Sequence, residues 1–122
     1  MKKILATLLL LSPLYSYADN CDNPSNDFDG LYCLNKVYIQ ADKDLNEAYK
    51  DLRTYLNKAE KSTLKVGQIA WIKERNADCS YHDDRGFFVN LDCTTNTTID
   101  RTNFLQDRTR ECKATGCQPS KL

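Results

Sequence analysis

The sequence predicts an all-α fold in which an antiparallel helical hairpin is followed by a third, C-terminal helix. Apolar residues recur at three- and four-residue steps over residues 34–56 and again over residues 64–79, which is the spacing of amphipathic helices. The chain also contains six cysteines in 122 residues, and an even number of cysteines in a small chain indicates a disulfide framework. These observations favour one small helical domain that is stabilised by crosslinks.

The first eighteen residues are predicted to be an export signal. Lys2 and Lys3 give it a positive start, residues 4–14 form an apolar stretch, and residues 16–18 form a small-x-small cleavage site. The apolar stretch is too short to span a bilayer, although a retained membrane anchor is the alternative. We therefore expect residues 19–122 to be a single mature domain that is periplasmic or secreted and not attached to a membrane.

The charge of the chain bears on its partners. There are 17 basic and 17 acidic residues, and cleavage of the signal with its two lysines would leave 15 basic residues and a net charge near −2. A nearly neutral protein gives no reason to expect nucleic acid or an anionic membrane as its partner. A slight acidic excess would suit a basic protein partner.

The cysteines are expected to pair with their neighbours along the chain. All six belong to the predicted mature chain: Cys21, Cys33, Cys79, Cys93, Cys112 and Cys117. Spacing alone does not determine the connectivity, so neighbour pairing is a hypothesis, and each bridge would contribute roughly 2–4 kcal/mol. The sequence does not indicate a metal site or a cofactor, because it has no C-x-x-C pair and only one histidine, His82.

The first helix is predicted to begin at Leu31, after a polar lead-in. Its apolar stripe consists of residues three or four apart: Leu34, Val37, Tyr38, Ala41, Leu45, Ala48, Tyr49, Leu52 and Leu56. Residues 57–62 are polar and suit a short turn between antiparallel helices.

The second helix is predicted from a stripe that ends at a cysteine. Its members are Leu64, Gln68, Trp71, Arg75 and Cys79, with Ile69 and Ile72 beside them. Gly67 lies inside this helix, where glycine costs about 1 kcal/mol relative to alanine, so we interpret it as a point of close packing between the first two helices.

The third helix is predicted over Ile99–Cys112, with Ile99, Thr102 and Leu105 facing inward. Residues 95–98 are rich in threonine and offer side-chain oxygens that can cap its start. The preceding segment, residues 80–92, shows no helical period and is predicted to be a loop.

Three sequence motifs occur in these helices: D-x-x-L-N-x-x-Y at Asp42, Leu45, Asn46 and Tyr49, Q-x-x-W-x-x-x-R-x-x-x-C at Gln68, Trp71, Arg75 and Cys79, and T-x-x-R-x-x-x-L at Thr98, Arg101 and Leu105. In this order and spacing they resemble the LprI-like domain, a small secreted bacterial domain linked to lysozyme inhibition. The resemblance covers roughly residues 21–105. It implies an exported inhibitor that binds lysozyme or another peptidoglycan hydrolase.

In physical terms the motif residues are predicted to hold the helices together. Arg75 follows Trp71 by one helical turn and would face the first helix, and a guanidinium can bridge a carboxylate and an amide with its forked donors. We therefore predict an Asp42–Arg75 pair that Asn46 completes. Trp71 is predicted to be part of the core.

Catalysis is not indicated by the residues present. Acyl transfer needs a nucleophile beside a base, yet Cys79 is expected to be oxidised, and His82 is the only imidazole. The acidic residues Asp83 and Asp84 are expected to be solvated in a loop. We therefore predict that the protein is not an enzyme.

The loop over residues 80–92 is the predicted partner-binding site. A Cys79–Cys93 bridge would close it and lower the entropic cost of binding. Its candidate contact residues combine aromatic rings with charges: Tyr81, His82, Asp83, Asp84, Arg85, Phe87 and Phe88. Such a loop could enter an enzyme cleft that carries two catalytic carboxylates, with His82 or Arg85 as the electrostatic partner.

Other interpretations fit the same sequence. The aromatic residues of the loop could instead pack beneath the helices. The protein could be an immunity-type module that neutralises a cell-wall-degrading toxin, or a periplasmic structural or stress module with no enzyme partner. The sequence does not predict an oligomeric state.

Overall fold

The computed structural model describes residues 21–122, so the predicted export signal at residues 1–18 lies outside the described part of the chain. The elements are α1 (Asp27–Arg53), α2 (Lys58–Cys79), β1 (Ser80–Asp83), β2 (Gly86–Val89), α3 (Leu91–Thr115) and a 3-10 turn (Pro119–Lys121). The predicted all-α fold with a helical hairpin, a third helix and disulfide bonds is confirmed, and the two short strands are a small addition. Within residues 21–122, no helix is both long enough and apolar enough to cross a membrane.

Helix α1 begins four residues before the predicted start at Leu31. Asn26 caps it, because its side chain accepts a 2.9 Å hydrogen bond from the backbone N–H of Asp29. Asp27 and Asp29 place negative charge in the first turn, where it complements the positive end of the helix dipole. These local signals extend the helix into the segment that was expected to be irregular.

The turn between α1 and α2 is shorter than the predicted one and lies earlier in the chain. Asn57 and Glu60 form a capping box, in which each side chain accepts a hydrogen bond from the other residue's backbone N–H, at 2.9 and 3.1 Å. Most of residues 57–62 therefore belong to α2, and the prediction that they form the turn was wrong. Their polar character reflects a helix start.

The core lies where the three helices meet. Its buried members are leucines and one alanine: Leu45, Ala48, Leu52, Leu56, Leu64 and Leu105. Helix α1 makes its most extensive contacts with α3, and α3 also contacts α2. The third helix is therefore a central element and not a peripheral addition to the first two.

Threonines let α3 pack closely although its sequence is polar. Thr98 is fully buried, and its hydroxyl donates a 2.7 Å hydrogen bond to the carbonyl oxygen of Thr94. Thr102 donates in the same way to Thr98, and Thr109 to Leu105. A hydroxyl that bonds one turn back is satisfied without water, so the small threonine can lie in the core.

The predicted burial of Ile99 was wrong. Ile99 is 42% exposed and does not face inward, and α3 begins eight residues before it, at Leu91. In α2, Leu64, Gln68, Arg75 and Cys79 of the predicted stripe are buried, whereas Ile69 and Ile72 beside it are exposed. The buried stripe of α2 is therefore narrow.

Gly67 does not mark close packing between α1 and α2. A Cβ atom at this position would lie 3.8 Å from Nη2 of Arg101 and 3.8 Å from the backbone of Leu122, which is ordinary van der Waals contact. Its neighbours thus belong to α3 and the C-terminal segment, and an alanine would fit.

The predicted neighbour pairing of the cysteines is confirmed. The bridges are Cys21–Cys33, Cys79–Cys93 and Cys112–Cys117. The first ties the lead-in to α1, the second joins the end of α2 to the start of α3, and the third holds the chain that follows α3.

Candidate functional site

The predicted binding loop is a β-hairpin. Strands β1 and β2 pair antiparallel, with Tyr81 opposite Phe88 and His82 opposite Phe87. Asp84 and Arg85 form the exposed turn between the strands. Because residues directly opposite each other share one face of a sheet, the hairpin separates its side chains into two sets.

The base of the hairpin is fixed by covalent and hydrogen bonds. The Cys79–Cys93 disulfide closes it, and the backbone N–H of Asn90 donates a 2.8 Å hydrogen bond to the carbonyl oxygen of Cys79. The side chain of Asn90 also accepts a 3.0 Å hydrogen bond from the N–H of Cys93 and so caps α3. The hairpin is therefore held in one position before any partner binds.

One face of the hairpin is an aromatic stack next to an ion pair. The rings of Tyr81 and Phe88 stack with centroids 4.8 Å apart, and the guanidinium of Arg85 lies 5.4 Å from the Phe88 centroid. Arg85 also donates to Asp83, with a 2.6 Å separation between Nη2 and Oδ2, and this bond lowers the pKa of Asp83. The charge of Arg85 is therefore balanced by its own neighbour.

The other face is largely open and, apart from Ser80 and His82, apolar. Phe87 is 65% exposed and Val89 is 48% exposed, so neither packs beneath the helices. Together with Asn35 and Tyr38 of α1 they line a cavity of about 320 Å³. Leu91, at the start of α3, also lines this cavity and is half-buried.

The apolar surface continues along the N-terminal half of α1. Phe28, Leu31 and Tyr32 are each more than half exposed, and with Asn35 they line the adjoining cavity. Part of this segment was predicted to be an irregular lead-in, and its exposed apolar face was not predicted. The signal was present, because these residues recur three and four apart on one helix face.

Three motif residues of α2 and α3, together with Phe104 and Arg108, form a series of contacts between arginines and aromatic rings, here called the arginine–aromatic ladder. The Trp71 ring lies between Arg75, at 5.0 Å, and Arg101, at 5.8 Å. The Phe104 ring lies between Arg101, at 4.4 Å, and Arg108, at 5.1 Å. Such contacts between cations and rings join the two helices. The spacing of residues 101, 104 and 108 on one helix face could have revealed Phe104 and Arg108 as members.

Arg101 is the central member of the ladder. Its Nε donates a 2.9 Å hydrogen bond to Oε1 of Gln68, and burial lowers its pKa. A desolvated guanidinium placed between two rings favours a structural role for this residue, because little of it is available to a partner.

The predicted Asp42–Arg75 pair was wrong. Arg75 is 9% exposed and donates to Thr98 and Asn76, at 3.4 Å and 3.0 Å, so its guanidinium points toward α3. Asp42 instead accepts a 3.4 Å hydrogen bond from Asn46 on its own helix. The prediction failed because it took α1 to be the neighbour of Arg75, whereas α3 occupies that position.

The remaining residues of the first motif support the core. Leu45 is 3% exposed and belongs to the core, and Tyr49 packs against it while its ring faces Arg53 at 5.9 Å. The family motifs thus describe the scaffold, whereas the exposed aromatic residues lie on the hairpin and on the N-terminal half of α1.

The fold and the site define a small, disulfide-bonded helical protein that projects a rigid aromatic hairpin. The family described as "Lysozyme inhibitor LprI" matches residues 19–105. This range is more than half of the sequence, so the chain belongs to the LprI family, as the three motifs predicted. The family is one of inhibitors and not of enzymes.

The matched range includes α1, α2, the hairpin and the first part of α3, and it ends before the Cys112–Cys117 bridge. Neither the curated proteins nor the solved structures yielded a match to the chain.

Proposed function

We propose that this protein is an exported inhibitor of lysozyme or of a related peptidoglycan hydrolase, and that the hairpin enters the cleft of the enzyme. Membership of the LprI family supports the class of function. The observation that carries the mechanism is the clamped hairpin, which presents Phe87 with 65% of its surface exposed.

The hairpin has the physical properties that a cleft-binding element needs. Because the disulfide and the Asn90 hydrogen bond already hold its ends, little chain entropy is lost on binding. Tyr81 and Phe87 are exposed aromatic residues, a class that is enriched in protein interfaces, and tyrosine is among the residue types that most often dominate the binding energy. The apolar surface of α1 beside the hairpin would extend the contact beyond the cleft.

The charges of the hairpin refine this proposal. A lysozyme cleft carries two carboxylates, to which His82 and Arg85 were the predicted partners. Arg85 is already paired with Asp83, so its net attraction for another carboxylate is reduced. We therefore expect Phe87 and Tyr81 to contribute more to inhibition than Arg85 does.

A lysis assay tests the proposal. The purified, oxidised protein is added to c-type lysozyme acting on a cell-wall suspension, and the rate of clearing is followed by turbidity. Phe87→Ala is compared with Val66→Ala, because Val66 is similarly exposed, at 67%, but lies on α2 and outside the hairpin. We expect the protein to slow lysis, Phe87→Ala to weaken inhibition at least about tenfold and Val66→Ala to leave it unchanged.

Two results would count against the proposal in different ways. If a large excess of the protein does not slow lysis by this lysozyme or by a panel of other peptidoglycan hydrolases, the inhibitory function is refuted. If it inhibits and both alanine variants inhibit equally well, the function stands but the hairpin is not the contact.

A further inference from the structure

A groove at the junction of α1 and α2 concentrates positive charge. It has a volume of about 670 Å³ and is lined by Tyr49, Arg53, Lys58, Lys61, Ser62 and Lys65. We refer to it as the basic groove. Its lining contains four cationic side chains and no carboxylate, although the whole chain has equal numbers of basic and acidic residues. The equal numbers of basic and acidic residues in the whole chain therefore conceal a local excess of positive charge at this groove.

The cations of the basic groove are not ion-paired, unlike several other cations in the described part of the chain. Within residues 21–122, the ion pairs use Arg85, Arg108, Arg110 and Lys121, each with a carboxylate within 4 Å. None of the four groove cations takes part in such a pair. Arg53 only faces the ring of Tyr49, at 5.9 Å. Their charges are thus available to a ligand.

The position of the lysines is unfavourable for helix stability. Lys58 is the first residue of α2, and Lys61 lies in the following turn. This is the positive end of the helix dipole, where acidic residues stabilise a helix and basic ones do not. The dipole of α2, which Glu60 already complements, therefore gives no stabilising reason for Lys58 and Lys61 to lie at this end.

The geometry points to the basic groove as a binding site for a linear polyanion that carries phosphate groups. Lys58, Lys61 and Lys65 recur on one face of α2, and the helix rises about 10 Å between the first and the last. That distance can accommodate several charges of an extended polyanion. Arg53, across the groove, can donate two hydrogen bonds to one phosphate, and Lys61 and Ser62 offer further donors.

A soluble polyanion fits the groove better than a membrane surface does. The cations surround a concave space, and Tyr49 is half-buried against the core, so it is not available to insert into lipid. The groove also lies at the opposite end of α2 from the hairpin, which follows Cys79. Binding at the groove does not depend on the proposed inhibitory function, and either one can fail without the other.

The test uses a linear inorganic polyphosphate as the probe and isothermal titration calorimetry at low ionic strength. The groove variant is Lys58→Gln/Lys61→Gln/Lys65→Gln. Its matched control is Lys36→Gln/Lys43→Gln/Lys73→Gln, which removes the same charge from exposed lysines that do not line the groove. We expect the wild-type protein to bind, the groove variant to bind at least about tenfold more weakly, and the control to bind within about twofold of the wild type.

Thermal unfolding of the same variants provides a second readout. Because Lys58 and Lys61 lie near the positive end of α2 and Lys65 is exposed further along it, the groove variant should melt at the same temperature as the wild type or higher. Weaker binding by a folded and equally stable variant would support the site.

Three results would overturn the inference. One is the absence of polyphosphate binding by the wild-type protein. Another is an equal loss of polyphosphate affinity in the groove variant and the control, since that would indicate that polyphosphate is attracted to the positive charge of the protein in general. The third is binding only to phosphatidylglycerol vesicles and not to polyphosphate, which would assign the groove to a membrane surface instead.

Discussion

Nε of Arg101 donates a 2.9 Å hydrogen bond to Oε1 of Gln68, and this bond joins α3 to α2. The guanidinium of the same residue lies 4.4 Å from the Phe104 ring centroid and 5.8 Å from that of Trp71. One side chain thus combines a directed bond with two ring contacts in the arginine–aromatic ladder. Its planar guanidinium, and not only its charge, is what this position requires.

Arg101→Lys should therefore destabilise the protein although it keeps the positive charge. The ammonium cannot stack on two rings while it also donates to Gln68, so we expect the free energy of unfolding to fall by about 1–3 kcal/mol. Urea denaturation followed by circular dichroism measures this change. The control is Arg110→Lys, whose arginine is largely exposed and paired only with Asp107, and which should alter stability by less than about 0.5 kcal/mol. Equal small effects of both substitutions would show that the ladder contributes little.

Gly67→Ala should stabilise the protein. The glycine lies inside α2, and a Cβ would meet its nearest neighbours at an ordinary 3.8 Å, so the gain in helix propensity, about 0.5–1 kcal/mol, is not offset by a clash. Gly86→Ala is the opposite case, because the backbone of Gly86 has a φ of +142° that an alanine adopts only with strain. We expect the melting temperature to rise for the first variant and to fall for the second. A lower melting temperature for Gly67→Ala would indicate that the surroundings of residue 67 cannot accommodate a methyl group.

The predictability of the fold varied with the kind of residue that forms the core. The leucine and alanine stripes of α1 were predicted correctly because apolar residues at helical spacing are visible in a sequence. The start of α3 was not, because the part before Ile99 buries Thr94, Thr95 and Thr98, and the hydroxyls of Thr94 and Thr98 are satisfied one turn back along the chain. Threonine counts as polar in a periodicity search, so a helix that buries it looks irregular.

The position of the cysteine-closed segment was predictable from the sequence, but its hairpin form was not. The neighbour pairing of Cys79 with Cys93 located the projecting segment. The strands over residues 80–83 and 86–89 were not predicted because each is only four residues long and neither S-Y-H-D nor G-F-F-V alternates strictly between polar and apolar residues. The partner of Arg75 was missed for another reason: the order of the helices in space cannot be obtained from the spacing within each of them.

Removing the Cys79–Cys93 bridge should affect both stability and binding. Cys79→Ser/Cys93→Ser opens the base of the hairpin, and we expect a loss of roughly 2–4 kcal/mol in the free energy of unfolding. Because the hairpin would no longer be held before binding, inhibition of lysis should weaken even at temperatures where the variant stays folded. Denaturation curves and the turbidity assay measure the two effects separately.

Cys112→Ser/Cys117→Ser is the control for this experiment. Its bridge spans a sequence separation of 5, compared with 14 for Cys79–Cys93, so the entropic stabilisation that it provides should be smaller. It also lies outside the hairpin, and its removal should leave inhibition intact. If both double variants lose inhibition to the same extent, the loss is caused by general loosening of the fold and not by the opening of the base of the hairpin.

Protonation of Asp83 should loosen the tip of the hairpin only at a pH below the ordinary carboxyl pKa of 3.8. The hydrogen bond from the Arg85 side chain is the largest cause that lowers the pKa of Asp83 below its ordinary value of 3.8. A carboxyl group whose pKa is lowered in the folded state adds stability above its unfolded pKa and loses that contribution as the pH falls through the lower, folded value. The ion pair is therefore fully formed at neutral and mildly acidic pH.

An NMR titration of the Asp83 carboxyl carbon measures this effect directly. We expect a midpoint below 3.8 in the wild-type protein and a shift upward, toward 3.8, in Arg85→Gln, because that variant removes the largest cause of the lowering. Arg110→Gln is the matched control, since its arginine pairs with Asp107 on α3 and should leave the Asp83 midpoint unchanged. A wild-type midpoint at or above 3.8 would mean that Arg85 does not hold Asp83 in solution. In that case Arg85 would be free to contact the carboxylates of a hydrolase cleft, and Arg85→Ala should then weaken inhibition as strongly as Phe87→Ala.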